Sequence, residues 1–314
     1  MRHAWEHSNL KRLKKLPLKN KNQISVKKIF LFVWFVISLN NTYAQKNIIF
    51  YTSIKGLSIA YTKTGSGPPI VLLHGFTQDS RIWKLQIESL SKNFTVIAWD
   101  APGAGLSGDP TEKFTIDDWA DCLATLLDSI GIKKAHILGL SWGGLLAQEF
   151  YKHYPDRVIS LILSDTTIGW TGALSDSVAR ELLAACIHNS SLPTQDFILK
   201  YLPGMFSDSV PSAIKNELSR IMSDTHPVGF RLMATAVATA DTRALLPTIK
   251  TPTLLIWGEF DKRSPLSAAY QMRDAIHGAK LEIISGAGHV SNMEKPIQFN
   301  KAVKDFCLSV STTK

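Results

Sequence analysis

The stretch Gly139-Leu140-Ser141-Trp142-Gly143-Gly144 stands between two segments of different periodicity. The short apolar run Ala135–Leu138 before it predicts a buried strand, and Leu145–Tyr154 after it predicts a helix. A serine between glycines on a strand–turn–helix is typical of a nucleophile elbow, where the tight turn holds the hydroxyl above the edge of a sheet. The positive end of the following helix favours an anion at that point. Ser141 is therefore the candidate nucleophile.

Short apolar runs and helical patterns alternate on both sides of this stretch. The runs carry few charges, as central parallel strands covered on both faces do. The alternation predicts an α/β fold with a doubly wound, mostly parallel sheet, and Ile48–Ile54 with Leu57–Tyr61 predict a hairpin at its edge. The predicted central strands are Ile70–Leu73, Val96–Trp99, Ala135–Leu138, Leu161–Leu163, Thr253–Trp257 and Leu281–Ile284.

The alternation stops between Ser164 and Ile249, where no strand pattern is present. A segment of this length is too long for a connecting loop. We expect a helical cap at about residues 166–247, inserted into a domain of residues 45–314. The cap would lie over the carboxyl ends of the strands, where such sheets bind ligands. The predicted cap helices are Val178–Ile187, Thr194–Tyr201, Ser212–Met222 and Gly229–Ala240.

A serine hydroxyl is a weak nucleophile at neutral pH and needs a neighbouring base. His289 is the best candidate among the nine histidines, because it stands in a glycine-rich loop directly after the predicted strand Leu281–Ile284. Loops at strand ends are where a parallel sheet presents catalytic groups.

The base needs an acid that fixes its tautomer and stabilises its charged form. Asp261 follows the predicted strand Thr253–Trp257, and Asp165 follows Leu161–Leu163. The chain order Ser–Asp–His fits both. We assign the acid to Asp261 and expect Asp165 to be a helix cap or a hinge residue.

An oxyanion needs two aimed donors. One candidate is the backbone N–H of Trp142, which follows the nucleophile. The other is the N–H of Phe76 in the loop after Ile70–Leu73, because Gly75 allows the backbone to approach closely. His74 is expected to shape this loop by hydrogen bonding.

Taken together, these motifs resemble those of the α/β-hydrolase superfamily, in the superfamily's order, over roughly residues 56–308. They are His74-Gly75-Phe76, Asp100-Ala-Pro-Gly-Ala-Gly-Leu-Ser107, Gly139–Gly144 and the loops that carry Asp261 and His289. Asp241-Thr-Arg-Ala-Leu-Leu-Pro247 and Gly288-His-Val-Ser-Asn-Met-Glu-Lys-Pro-Ile-Gln-Phe-Asn300 are most similar to 3-oxoadipate enol-lactonases and related carboxylic-ester hydrolases. The resemblance implies a serine hydrolase that cleaves a small ester or lactone through an acyl-enzyme.

Other functions of the same Ser141–His289–Asp261 triad stay open. They are cofactor-free haloperoxidase or perhydrolase activity, C–C bond hydrolysis, and ligand sensing without turnover. A serine at position 141, where a haloalkane dehalogenase has an aspartate, argues against that activity. The sequence carries no metal cluster, dinucleotide fingerprint or P-loop, so we expect no cofactor and no metal. The residues expected to line the pocket are Phe76, Trp142, Trp170, Phe206 and Met233, of which the last three could instead be the cap's own core.

The formal charge of +9 is concentrated at the N-terminus. Residues 1–44 hold nine Lys and Arg and one acid, so they carry +8 and the remainder carries +1. A near-neutral body has no basic face for nucleic acid. The basic segment leads into the apolar run Ile29–Leu39 and then Thr42-Tyr-Ala44, the order of a cleaved signal peptide. The run is too short for a typical membrane span, so export is favoured over an N-terminal membrane anchor.

Overall fold

The structure is a computed structural model that describes residues 48–311. The expected signal peptide or anchor at residues 1–44 lies outside these residues. Within them, no helix combines the length and the apolar character that a membrane span requires.

An eight-stranded sheet forms the centre of the described chain, in the order β1-β2-β4-β3-β5-β6-β7-β8. Strands β1 and β2 form an antiparallel hairpin at one edge, β2 also pairs antiparallel with β4, and all other neighbours are parallel. The predicted α/β fold class is therefore confirmed. The strands are β1 (Ile49–Ile54), β2 (Leu57–Thr64), β3 (Pro69–Leu73), β4 (Thr95–Trp99), β5 (Ala135–Leu140), β6 (Val158–Ser164), β7 (Thr253–Gly258) and β8 (Lys280–Ile284).

Helices cover both faces of the sheet. They are α1 (Lys84–Leu90), α2 (Ile116–Ser129), α3 (Trp142–His153), α4 (Trp170–Ala173), α5 (Asp176–Asn189), α6 (Thr194–Tyr201), α7 (Ser212–Met222), α8 (Pro227–Thr239), α9 (Leu266–Ala275), α10 (Ser291–Glu294) and α11 (Pro296–Ser311). Helices α4 to α8 lie between β6 and β7, in the segment predicted to form the cap.

Strand β3 shows why the central strands are almost wholly apolar. Val71 and Leu73 pack into the core on one face, and Ile70 and Leu72 pack into the core on the other. Side chains alternate between the faces of a strand, so a strand with two covered faces needs an unbroken apolar run.

Two helix starts test local sequence rules. Helix α2 begins with a capping box, in which the Thr115 N–H donates to the Asp118 carboxylate at 2.9 Å. Helix α3 begins at Trp142, three residues before the predicted Leu145, so its first turn follows Ser141 directly.

Candidate active site

Ser141 occupies a strained turn at the end of β5. Its backbone angles are φ 54° and ψ −116°, in a region that L-residues rarely adopt. The turn is possible because its glycines lack side chains: a Cβ on Gly139 would overlap the Gly143 backbone, and a Cβ on Gly144 would overlap Thr166. The Ser141 N–H donates to the Ser164 carbonyl at 2.9 Å, which ties the turn to strand β6.

The structure brings Ser141, His289 and Asp261 together in one hydrogen-bonded chain. The Ser141 Oγ lies 2.9 Å from the His289 Nε2, and the His289 Nδ1 lies 2.9 Å from the Asp261 Oδ2. The three residues are far apart in sequence and come from the ends of β5, β7 and β8. This geometry fits a neutral imidazole that holds its proton on Nδ1 and accepts from the serine on Nε2.

The Asp261 carboxylate is oriented by its own loop. Its Oδ1 accepts from the backbone N–H groups of Arg263 at 2.7 Å and Ser264 at 2.9 Å, which leaves Oδ2 for the imidazole. Ser264 is fixed in turn, because its hydroxyl donates to the Thr166 carbonyl and its carbonyl accepts from the Trp257 indole.

Charge around His289 favours its protonated form. Burial lowers the pKa of His289, but the charge and hydrogen bond of Asp261, with the charge of Asp165, outweigh it, so the pKa lies above its usual value. The same charges would stabilise an imidazolium at this position.

Asp165 caps no helix, because Gly169 is the N-cap residue of the next helix, α4; its role as a hinge residue of the cap stays a prediction. It is fully buried at the end of β6, with a positive φ of 46°. Its carboxylate accepts from the Gly258 N–H at 2.7 Å and from the hydroxyls of Ser164 and Ser291. Burial raises the pKa of Asp165, and the negative charge of the nearby Asp261 raises it further.

The loop after β3 lies against the elbow. A Cβ on Gly143 would overlap the carbonyl oxygens of Leu73 and His74, so only glycine lets the two backbones meet there. His74 is fully buried; its Nε2 accepts from the Ala101 N–H at 3.0 Å, so its Nδ1 carries the proton and donates to the Gly75 carbonyl. The expected loop-shaping contacts of His74 are thus present.

Two backbone donors remain for an oxyanion. The Gly75 N–H is engaged by the Gln78 side chain at 3.0 Å. Among the hydrogen bonds of the described residues, none uses the N–H of Phe76 or that of Trp142. The sequence predicted these two N–H groups as oxyanion donors; that of Phe76 belongs to the loop after β3, and that of Trp142 belongs to the elbow.

Aromatic side chains of the cap cover this loop. Phe76 stacks on Phe230 with 4.5 Å between ring centroids and meets the edge of Tyr201 at 6.5 Å. Phe197 packs against both cap rings. The sequence did not indicate a site role for Phe197, Tyr201 and Phe230, whose only signal was their place on predicted cap helices.

The residues expected in the pocket wall have different surroundings. The Trp142 indole is buried in the hydrophobic core, edge-on to Trp119 at 5.1 Å between ring centroids. Met233 is buried and lines a cavity of about 10 Å³ beside Phe230. Trp170 is half-buried, and Phe206 is buried in the segment between α6 and α7. The pocket role of Trp170, Phe206 and Met233 stays a prediction.

A cluster of possible metal ligands lies away from this site. Oxygen and nitrogen atoms of Asp117, Glu149 and His153 all lie within 4.8 Å of one another. Ion pairing accounts for the cluster, because Lys152 reaches Glu149 at 2.6 Å and His153 contacts both carboxylates at 2.9 Å.

The sheet order, the elbow and the histidine loop together define a hydrolase fold, and comparison with known proteins gives the same class. The family described as the alpha/beta hydrolase fold matches residues 68–296, and the chain belongs to it. It is 28% identical over 262 residues to 3-oxoadipate enol-lactonase 1 of Acinetobacter baylyi, an alignment that covers 82% of this chain and 94% of that protein.

Solved structures agree with this assignment. An esterase from Thermogutta terrifontis superposes with a TM-score of 0.77 at 28% identity, over 84% of this chain and 99% of that one. The enol-lactonase from Burkholderia xenovorans superposes with a TM-score of 0.76 at 26% identity, over 82% of this chain and all of that one. The resemblance to this superfamily is thereby confirmed.

Proposed function

We propose that this protein is a serine hydrolase that cleaves a small carboxylic ester or lactone through an acyl-enzyme intermediate. The observation that carries the proposal is the continuous hydrogen-bonded chain from the Ser141 Oγ through His289 to Asp261. A serine becomes an effective nucleophile when a base can remove its proton as it attacks, and this chain supplies the base and the group that orients it.

In the first half of the reaction, the Ser141 Oγ attacks the substrate carbonyl and its proton passes to the His289 Nε2. The carbonyl oxygen becomes an oxyanion that accepts from the N–H groups of Phe76 and Trp142. The imidazolium, stabilised by Asp261, then gives its proton to the leaving alcohol, and the acyl group stays on Ser141. For a lactone, the leaving alcohol remains attached to the acyl chain.

In the second half, water takes the place of the alcohol. His289 removes a proton from the water as it attacks the acyl-enzyme, the same two N–H groups hold the second oxyanion, and Ser141 leaves with the proton from His289.

The substrate class rests on the relatives and on the chemistry of the cap. The named relatives are an enol-lactonase and an esterase, and the aromatic rings of Phe76, Tyr201 and Phe230 offer apolar walls beside the oxyanion loop. A mostly apolar wall with a few aimed polar groups suits an uncharged ester or lactone.

The proposal is tested by assaying the purified protein on p-nitrophenyl esters of increasing acyl length and on five- and six-membered lactones. Ser141→Ala should lower kcat by about 10⁴–10⁶-fold, because triad members act as a unit, and circular dichroism should show the fold retained. Ser129→Ala, which removes an exposed hydroxyl at the end of α2, is the control and should keep full activity. Near-normal turnover by Ser141→Ala would exclude this mechanism.

A further inference from the structure

The backbone on both sides of His289 is hydrogen-bonded to groups outside residues 288–290. The Gly288 N–H donates to the Glu294 Oε2 at 2.9 Å, and the Val290 N–H donates to the Met205 carbonyl of the cap at 3.1 Å. The residues immediately before and after the imidazole therefore depend on Glu294 and on the cap for their hydrogen bonds.

Glu294 binds the cap with the same carboxylate. Its Oε2 accepts from the Ser207 N–H at 3.1 Å, and its Oε1 accepts from the Ser207 hydroxyl. The side chain is buried, with 9% of the residue exposed. One carboxylate thus joins three donors: two from cap residue Ser207 and one from the residue next to the catalytic base.

The fit between cap and loop leaves little freedom at this junction. A Cβ on Gly288 would lie 2.5 Å from the Phe206 carbonyl carbon and 2.7 Å from the Ser207 nitrogen, so the two backbones are in direct contact. A shift of Met205–Ser207 would be transmitted to Gly288 and Val290 through the hydrogen bonds given above.

We propose that Glu294 is a positioning residue for the base: by binding Gly288 and Ser207 at once, it couples the seating of the cap to the alignment of His289 with Ser141. The proposal rests on the proposed function for the identity of the base. A misplacement of a catalytic group by about 1 Å can lower the rate by about 10²-fold. Loosening the backbone that supports His289 should therefore lower kcat and leave substrate binding intact.

The main test compares Glu294→Ala with Glu294→Gln. Alanine removes all three acceptor contacts, and we expect kcat to fall by about 10²-fold with KM changed by less than about twofold. Glutamine restores them, because its carbonyl oxygen replaces Oε2 and its NH₂ donates to the Ser207 hydroxyl. The Gln variant should stay within about threefold of the wild-type kcat, within the ordinary scatter of such contacts.

A proton NMR measurement reports the alignment without any substrate. The His289 Nδ1–H, hydrogen-bonded to Asp261, should give a far-downfield resonance, identified by its loss in Asp261→Asn. We expect this resonance to shift or broaden in Glu294→Ala and to be retained in Glu294→Gln. If no ester or lactone is turned over by the wild type, the proposed function fails, and the resonance still decides the role of Glu294.

Asn300→Ala is the matched control for general destabilisation. Asn300 is buried to a similar degree, and its loss removes contacts with Gln86 and Leu85; it should lower the melting temperature and leave kcat and the resonance unchanged. If Glu294→Ala does not fold, Ser207→Ala takes its place; it removes the hydroxyl contacts with Glu294 and Ser209 and keeps the backbone contact. It should still lower kcat by about fivefold, the effect of one lost hydrogen bond to a carboxylate.

An unchanged kcat in Glu294→Ala, or in Ser207→Ala where that variant has to be used, would overturn the proposal. So would equal losses of kcat in Glu294→Ala and Asn300→Ala, or an unchanged resonance in Glu294→Ala.

Discussion

Asp165 and Asp261 follow the neighbouring strands β6 and β7, yet only the Asp261 carboxylate contacts the imidazole of His289, at 2.9 Å. The Asp165 carboxylate is occupied by the Gly258 N–H and by two serine hydroxyls. The two acids are therefore distinguished by their hydrogen-bond partners and not by their place in the sheet, and these partners support Asp261 as the proposed acid.

Replacing each acid by its amide should separate their roles. Asp261→Asn should lower kcat by ~10³–10⁴-fold, because the amide favours the wrong tautomer of His289. Asp165→Asn should change kcat by less than about tenfold, since its hydroxyl partners can reverse their hydrogen bonds to the amide. Steady-state kinetics at pH 8 would measure both, and the opposite ranking would assign the acid to Asp165.

The positions of Ser141, Asp261 and His289 could be predicted from the sequence because each follows an apolar strand, and strand ends meet at one edge of a parallel sheet. The start of α3 could not be predicted from the sequence, because Gly143 and Gly144 are poor helix formers. Their helical turn is stabilised by packing against Leu73 and His74, a long-range contact.

The contacts of Glu294 could not be predicted for the same reason. Ser207 is 87 residues away in sequence, and no local pattern links a carboxylate after the histidine loop with a serine between two cap helices. The direction of the Trp142 indole could not be predicted either, because it depends on packing against Trp119, a contact that no local pattern indicates.

The close contact at the elbow predicts a sharp response to a single methyl group. Gly143→Ala should destabilise the protein by about 3 kcal/mol, the upper end of the usual cost of overpacking, since the new Cβ meets rigid backbone oxygens. Activity should be lost with it. Gly108→Ala is the control, because its Cβ would lie 3.6 Å or more from its neighbours. Urea unfolding of both variants makes the comparison; equal stabilities would contradict the tight contact.

Export is the prediction that concerns residues 1–44. Expressed with its native N-terminus in a host that recognises it, the protein should leave the cytoplasm and begin at Gln45 or within two residues of it, because Thr42 and Ala44 are the small residues that a signal peptidase requires. N-terminal sequencing of the extracytoplasmic fraction measures this. An intact N-terminus in the membrane pellet would indicate an anchor, and an intact soluble cytoplasmic protein would exclude export.

The surroundings of His289 predict the acid limb of the pH–rate profile. The base must be neutral to accept the serine proton, and the pKa of His289 is raised above its usual value of 6.5 by the net effect of the two neighbouring carboxylates over burial. We therefore expect kcat/KM to fall as the pH decreases through a pKa above 6.5. A profile from pH 5 to 9 measures it, and an acid limb below 6.5 would contradict this electrostatic account.

Asp165 predicts a pH dependence of stability with a definite sign. Burial, then the charge of Asp261, raises the pKa of Asp165 from 3.8 in the unfolded chain to about 7 in the folded one. Between these values the folded protein binds the proton more tightly, so the stabilisation is fully present below 3.8 and is lost as the pH rises through 7. Asp165→Asn cannot titrate and lacks this contribution. The free energy of unfolding of the wild type minus that of Asp165→Asn should therefore decrease steadily from pH 4 to pH 7.5, as measured by urea denaturation at intervals of half a pH unit. Titrating groups distant from Asp165 are common to both proteins and cancel in the difference; His289, whose pKa the charge of Asp165 raises, adds to the same decrease. A difference that stays constant, or rises with pH, would show that Asp165 is already ionised in the folded protein at pH 4.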